Sequence, residues 1–61
     1  MSTMRLIEEL AELQHALCKA ERFGWDNVYR DTSNKKWVEA EMLDVLEQMR
    51  HVITDHELTV L

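Results

Sequence analysis

Leu6-Ile7-Glu8-Glu9-Leu10-Ala11-Glu12-Leu13-Gln14 is the stretch whose reading decides the fold. Leu6, Leu10, Leu13 and, just beyond it, Leu17 recur at intervals of 4, 3 and 4 residues. That spacing lines apolar side chains along one narrow stripe of an α-helix. The same stretch sets three carboxylates on little more than one helical turn. A helix advances about 100° per residue, so positions i and i+3 share a face. Glu9 and Glu12 therefore project together, Glu9 on the border of the leucine stripe, Glu12 further round, and Glu8 furthest out.

Outward from there, the first helix is expected over residues 3–23. Ser2 or Thr3 can cap its start by accepting a backbone N–H. Gly24, the single glycine in a chain with no proline, can end it in a left-handed conformation. Lys19 and Arg22 near that end complement the helix dipole. Residues 24–33, rich in Asp, Asn, Thr and Ser, read as a connecting loop in which Val28 and Tyr29 offer at most a short extended piece. Ser33 is the expected cap of a second helix over residues 34–57. Val38, Met42, Val45, Leu46, Met49, Val52 and Ile53 form its apolar stripe. The apolar tail Leu58-Thr59-Val60-Leu61 either continues this helix or packs on a neighbour.

The second helix carries its own acidic pair, Glu41-Met42-Leu43-Asp44, also bordering the apolar stripe, an edge that Gln48 and Asp55 continue. Four carboxylates on facing helices repel one another unless a cation lies between them. An all-oxygen ligand set suits hard divalent ions, Mg²⁺ or alternatively Mn²⁺. Glu9, Glu12, Glu41 and Asp44 are thus the candidate metal ligands, with Glu8 as the candidate catalytic residue, a base or a support for the other four. Bundle cores are a familiar place for such sites. The plain alternative is that glutamate is a good helix former and these carboxylates are a wet surface.

The chain has 61 residues, one domain (1–61), and a formal net charge of −5 from twelve acidic and seven basic residues. That balance argues against nonspecific binding to a nucleic acid polymer, which needs a positive surface. It leaves room for a nucleotide whose phosphates are bridged by Mg²⁺. Cys18 is the only cysteine, so no disulfide framework exists. With no signal-peptide pattern at the start and no apolar run near 20 residues, no membrane partner is expected and the expected location is the cytoplasm. The expected fold is all-α: a two-helix hairpin that self-associates, as a homodimer or higher homo-oligomer, into a four-helix bundle. A lone hairpin of this size leaves much of each stripe wet.

The remaining chemistry-bearing residues cluster near the loop. Trp25, Tyr29 and Trp37 either stack on a nucleobase or plug the end of the bundle. Lys35 and Lys36 either meet phosphates, together with free N–H groups at the start of the second helix, or are solvated. His15 and His51 read as surface residues, His51 within i,i+4 reach of Asp55. Cys18 reads as a small packing residue, and Met4, Met42 and Met49 as core filler.

Glu8-Glu9-x-x-Glu12 followed by Glu41-x-x-Asp44 resembles the signature of the all-α NTP pyrophosphohydrolases, the MazG-like and dUTPase-like superfamily. Leu6 to Gln14 resembles the first motif of its small phage and bacterial members. Ala16-Leu17-Cys18-Lys19-Ala20-Glu21-Arg22-Phe23-Gly24 resembles what often follows, and Glu41-Met42-Leu43-Asp44-Val45-Leu46 resembles the second motif. The resemblance spans residues 4–53. It implies Mg²⁺-dependent cleavage of a nucleoside triphosphate to a monophosphate and pyrophosphate, with Glu9, Glu12, Glu41 and Asp44 on the metal and Glu8 supporting them or orienting water. Lys19, Trp25, Lys35, Lys36 and Trp37 are the candidate substrate contacts. The chain departs from the family in lacking the further helix and basic residues that most members carry beyond the second motif. A nucleotide-binding or sequestering protein without hydrolysis and a structural helical interaction module are therefore the rival readings.

Overall fold

The computed structural model describes residues 2–60 as two long antiparallel helices joined by a small β-hairpin. Helix α1 runs Ser2–Phe23 and helix α2 Asn34–Asp55, each of 22 residues. Between them, β1 (Val28–Tyr29) pairs antiparallel with β2 (Thr32–Ser33), with Val28 opposite Ser33 and Tyr29 opposite Thr32. The extended piece at Val28 and Tyr29 is thus real and has a partner.

Each junction has a local cause. Gly24 takes φ 104° and its N–H donates to the Ala20 carbonyl at 2.9 Å, closing α1 with a left-handed residue as expected. The β-hairpin turns on Arg30 and Asp31, with φ of 53° and 64°. Positive φ at both central residues is the habit of two-residue hairpin turns, where glycine and asparagine normally stand. Ser33 caps α2: its Oγ accepts from the Lys36 N–H at 3.2 Å. The other end of α2 comes earlier than residue 57. Glu57 adopts φ 52°, the Leu58 N–H bonds the Ile53 carbonyl at 2.9 Å, and the Glu57 N–H bonds that of Thr54 at 3.3 Å. This pair of bonds is a Schellman closure, so residues 58–60 leave the helix.

Ser2 and Thr3 lie inside α1 or at its edge and tie it to the end of α2. The Ser2 hydroxyl donates to Asp55 Oδ2 at 2.5 Å, and Thr3 Oγ1 lies 3.3 Å from His56 Nε2. These contacts fasten the open end of the hairpin.

The seam between the helices follows a heptad-like rhythm. Along it run Leu6, Glu9, Leu13, Ala16 and Ala20 on α1 and Asn34, Val38, Glu41, Val45, Gln48 and Val52 on α2, with Ser2, Leu17, Lys19 and Ile53 half-buried beside them. Ala20 is fully buried, and such small side chains let the helices approach closely near the loop. The leucine stripe is therefore split. Leu6 and Leu13 enter the seam, while Leu10 is 44% exposed and Ile7 54%. On α2, Val38 and Val45 are buried, whereas Met42, Leu46 and Met49 face outward beside Leu43. Met4 is likewise exposed, so three methionines read as core filler lie outside the hairpin's own core. No helix among the described residues is long and apolar enough to cross a membrane.

Candidate functional site

Glu9 occupies a seam position that an apolar residue would ordinarily fill, and it is only 8% exposed. One turn on, Glu12 projects from the same face of α1, and across the seam α2 presents Glu41, partly buried. One carboxylate oxygen from each of the three lies within 4.8 Å of the other two. Asp44, one turn after Glu41, is exposed and outside that trio, yet its charge reaches both Glu9 and Glu41. Glu8 is exposed and also lies outside the trio.

The electrostatics follow from the geometry. Burial, then the charges of Glu12, Asp44 and Glu41, push the Glu9 carboxyl above its ordinary 4.5, and Arg5 offsets this only in part. Burial, then Glu12 and Asp44, push Glu41 the same way. Removing a carboxylate from water and placing it beside like charges both disfavour its ionised form. Glu41 Oε1 is moreover buried without a hydrogen-bond partner among the described residues. Buried polar atoms are ordinarily satisfied, so this oxygen calls for a proton, a water or an ion.

These residues fit a divalent cation. Oxygens no more than 4.8 Å apart can surround one ion at the roughly 2.0–2.6 Å bond lengths of Mg²⁺ and Ca²⁺. Their hardness and negative charge match Mg²⁺ or Mn²⁺. Glu9, Glu12 and Glu41 would hold it directly, with Asp44 adding charge at the rim.

Toward the loop the carboxylates open onto a cleft of about 300 Å³. Glu12 and Glu41 form one wall, and Lys19, Tyr29, Arg30 and Trp37 form the others. His15, Ala16 and Asn34 complete the lining, so His15 faces the cleft. The Lys19 ammonium sits 3.7 Å above the centre of the Tyr29 ring, and the Arg30 guanidinium 5.2 Å from it. Tyr29 and Trp37 lie 6.4 Å apart at 57°, and the Trp37 indole N–H donates to the Tyr29 carbonyl at 3.0 Å.

Of the five substrate contacts expected from sequence, Lys19 and Trp37 line this cleft and three lie elsewhere. Trp25 donates its indole N–H to Glu21 Oε1 at 3.0 Å. Lys35 and Lys36 are exposed, and the N–H groups beside them are taken. The Asn34 N–H donates to the Asn27 carbonyl at 2.8 Å, that of Lys35 to Trp25 at 2.9 Å, and that of Lys36 to Ser33 Oγ. The start of α2 is thus closed by the loop rather than left free for phosphate. Buried Asn34 tightens this closure by donating from Nδ2 to the Gly24 carbonyl at 2.9 Å. Arg30 is the functional candidate that the sequence reading missed. Its only signal was a two-residue gap between the short pairs Val28-Tyr29 and Thr32-Ser33, with no glycine to mark a turn.

His51 lies 3.9 Å from Glu47 rather than against Asp55, and Cys18 is exposed rather than packed. No family model, curated protein or solved structure matches the chain.

Proposed function

We propose that this chain is a Mg²⁺-dependent nucleoside triphosphate pyrophosphohydrolase of MazG-like type, built as a four-helix bundle from two hairpins. The observation that carries the reading is the convergence of Glu9, Glu12 and Glu41 from two helices, with Glu41 Oε1 buried and unpartnered. A cation held there polarises phosphoryl oxygens and acidifies water. The chain's own residues do the rest. Glu9, sunk in the seam, keeps the site rigid and partly dry. Glu12 and Glu41 stand at the mouth of the cleft, where a phosphate chain meets them. The raised proton affinity of Glu41 reflects the cost of burying its charge beside Glu12 and Asp44, a cost that a bound cation would offset. The bundle is supported by the outward apolar residues of both helices, which a second hairpin would cover.

Nucleotide capture without cleavage is favoured by one observation: Glu8, the expected catalytic residue, stands exposed and apart from the trio. A single assay separates the two readings. Protein with Mg²⁺ and a panel of nucleoside triphosphates is expected to release pyrophosphate and a monophosphate, and Glu41→Gln to abolish release. Nucleotide recovered intact from denatured protein, with no pyrophosphate from any substrate, would replace hydrolysis with capture.

A further inference from the structure

Lys19 and Arg30 are two cations in a chain of net charge −5. Neither is ion-paired: among the described residues the one such contact is His51 with Glu47. Both instead gather on one aromatic ring, that of Tyr29, at the end of the cleft that the carboxylates open onto. A cation over a ring face is held in place without being neutralised. Arg30 reaches this position from a left-handed backbone, at φ 53°, where glycine would cost least. The pairing of β1 with β2 enforces this two-residue turn and so fixes where Arg30 stands.

We propose that Lys19 and Arg30, steadied on Tyr29, form a subsite for the polyphosphate tail of a nucleotide, with Trp37 left to stack the base; this rests on the nucleotide reading above. Tyr29 is a positioning residue. Its ring is already engaged by cations, and its 57° tilt to Trp37 prevents the two rings from sandwiching a base. The Trp37 ring is fixed by its own N–H bond to the Tyr29 carbonyl, so it is a preformed platform. A volume near 300 Å³ lies within the range of small-molecule sites. Arginine offers the phosphate a planar fork of donors and Lys19 a point charge.

Calorimetry on the full chain in Mg²⁺ buffer, with inorganic tripolyphosphate and with ATP, tests this. One tripolyphosphate per hairpin is expected. Lys19→Gln and Arg30→Gly should each weaken it about tenfold, and Arg30→Lys should recover part of the loss. Arg30→Gly relaxes the turn while removing the charge, so its melting temperature should not fall. Trp37→Leu should weaken ATP and leave tripolyphosphate unchanged. Absence of tripolyphosphate binding, or wild-type affinity in both charge variants, overturns the subsite. So does equal loss of both ligands in Trp37→Leu. Pyrophosphate release with an unchanged KM in Arg30→Gly would remove the subsite and leave hydrolysis standing. Binding that follows the expected pattern without release would do the reverse.

Discussion

Glu9 stands between Leu6 and Leu13 in the seam, where its charge is costly unless something compensates it. The cost has a pH signature. A carboxyl whose folded pKa lies above its unfolded value binds protons more tightly in the native state. Stability is then greatest when the group is protonated and falls as pH rises from about its ordinary 4.5 through the raised value. The metal-free protein should therefore lose melting temperature as pH climbs from 4.5 toward neutrality, and Glu41→Gln should flatten that decline. A thermal-denaturation series across pH checks it; a melting temperature that rises over this window would be inconsistent with a strained carboxylate pair. At this scale the sequence reading meets the structure in part: Glu9, Glu12 and Glu41 come together, while Glu8 and Asp44 stay outside the trio. The i,i+3 spacing brought Glu9 and Glu12, and Glu41 with Asp44, to common faces. It placed Glu9 at the stripe's edge rather than within the seam because Leu6, Leu10, Leu13 and Leu17 look like one stripe yet serve two faces.

The two helices and their caps at Gly24 and Ser33 were legible because periodicity and capping are local properties. The β-hairpin was less so, since Arg30 and Asp31 carry no glycine signal and only pairing with Thr32 and Ser33 reveals the turn. The helix faces pose the larger energetic question. Each hairpin leaves Ile7 and Leu10 on α1 and Leu43 and Leu46 on α2 exposed, the last two at 67% and 56%. Burying one such side chain fully contributes about 1.5–3 kcal/mol, and the proposed second copy would cover several of them against the cost of association. Sedimentation equilibrium should find the wild type as a dimer or larger. The double variant Leu43→Glu, Leu46→Glu should shift it to single chains that melt at lower temperature. A wild type that sediments as one chain at high concentration would leave these faces without the proposed partner.

For the molecule as a whole, what the helices achieve is a pairing of functions along one axis. Ser2 and Thr3 fasten one end, the β-hairpin closes the other, and acidic side chains meet between them, next to a cleft that carries both cations and aromatics. Composition favoured helix and excluded a disulfide frame, but Arg30 and Tyr29 joined the site only through the fold of the loop. The central claim is that both helices contribute carboxylates to one shared divalent ion. It is tested most directly by titrating nucleotide-free protein with Mg²⁺ in a calorimeter while following the melting temperature. The account predicts one ion per hairpin and, at 100 times the dissociation constant, a stabilisation of about 2.7 kcal/mol, both lost in Glu41→Gln. No Mg²⁺ uptake and an unchanged melting temperature would contradict it.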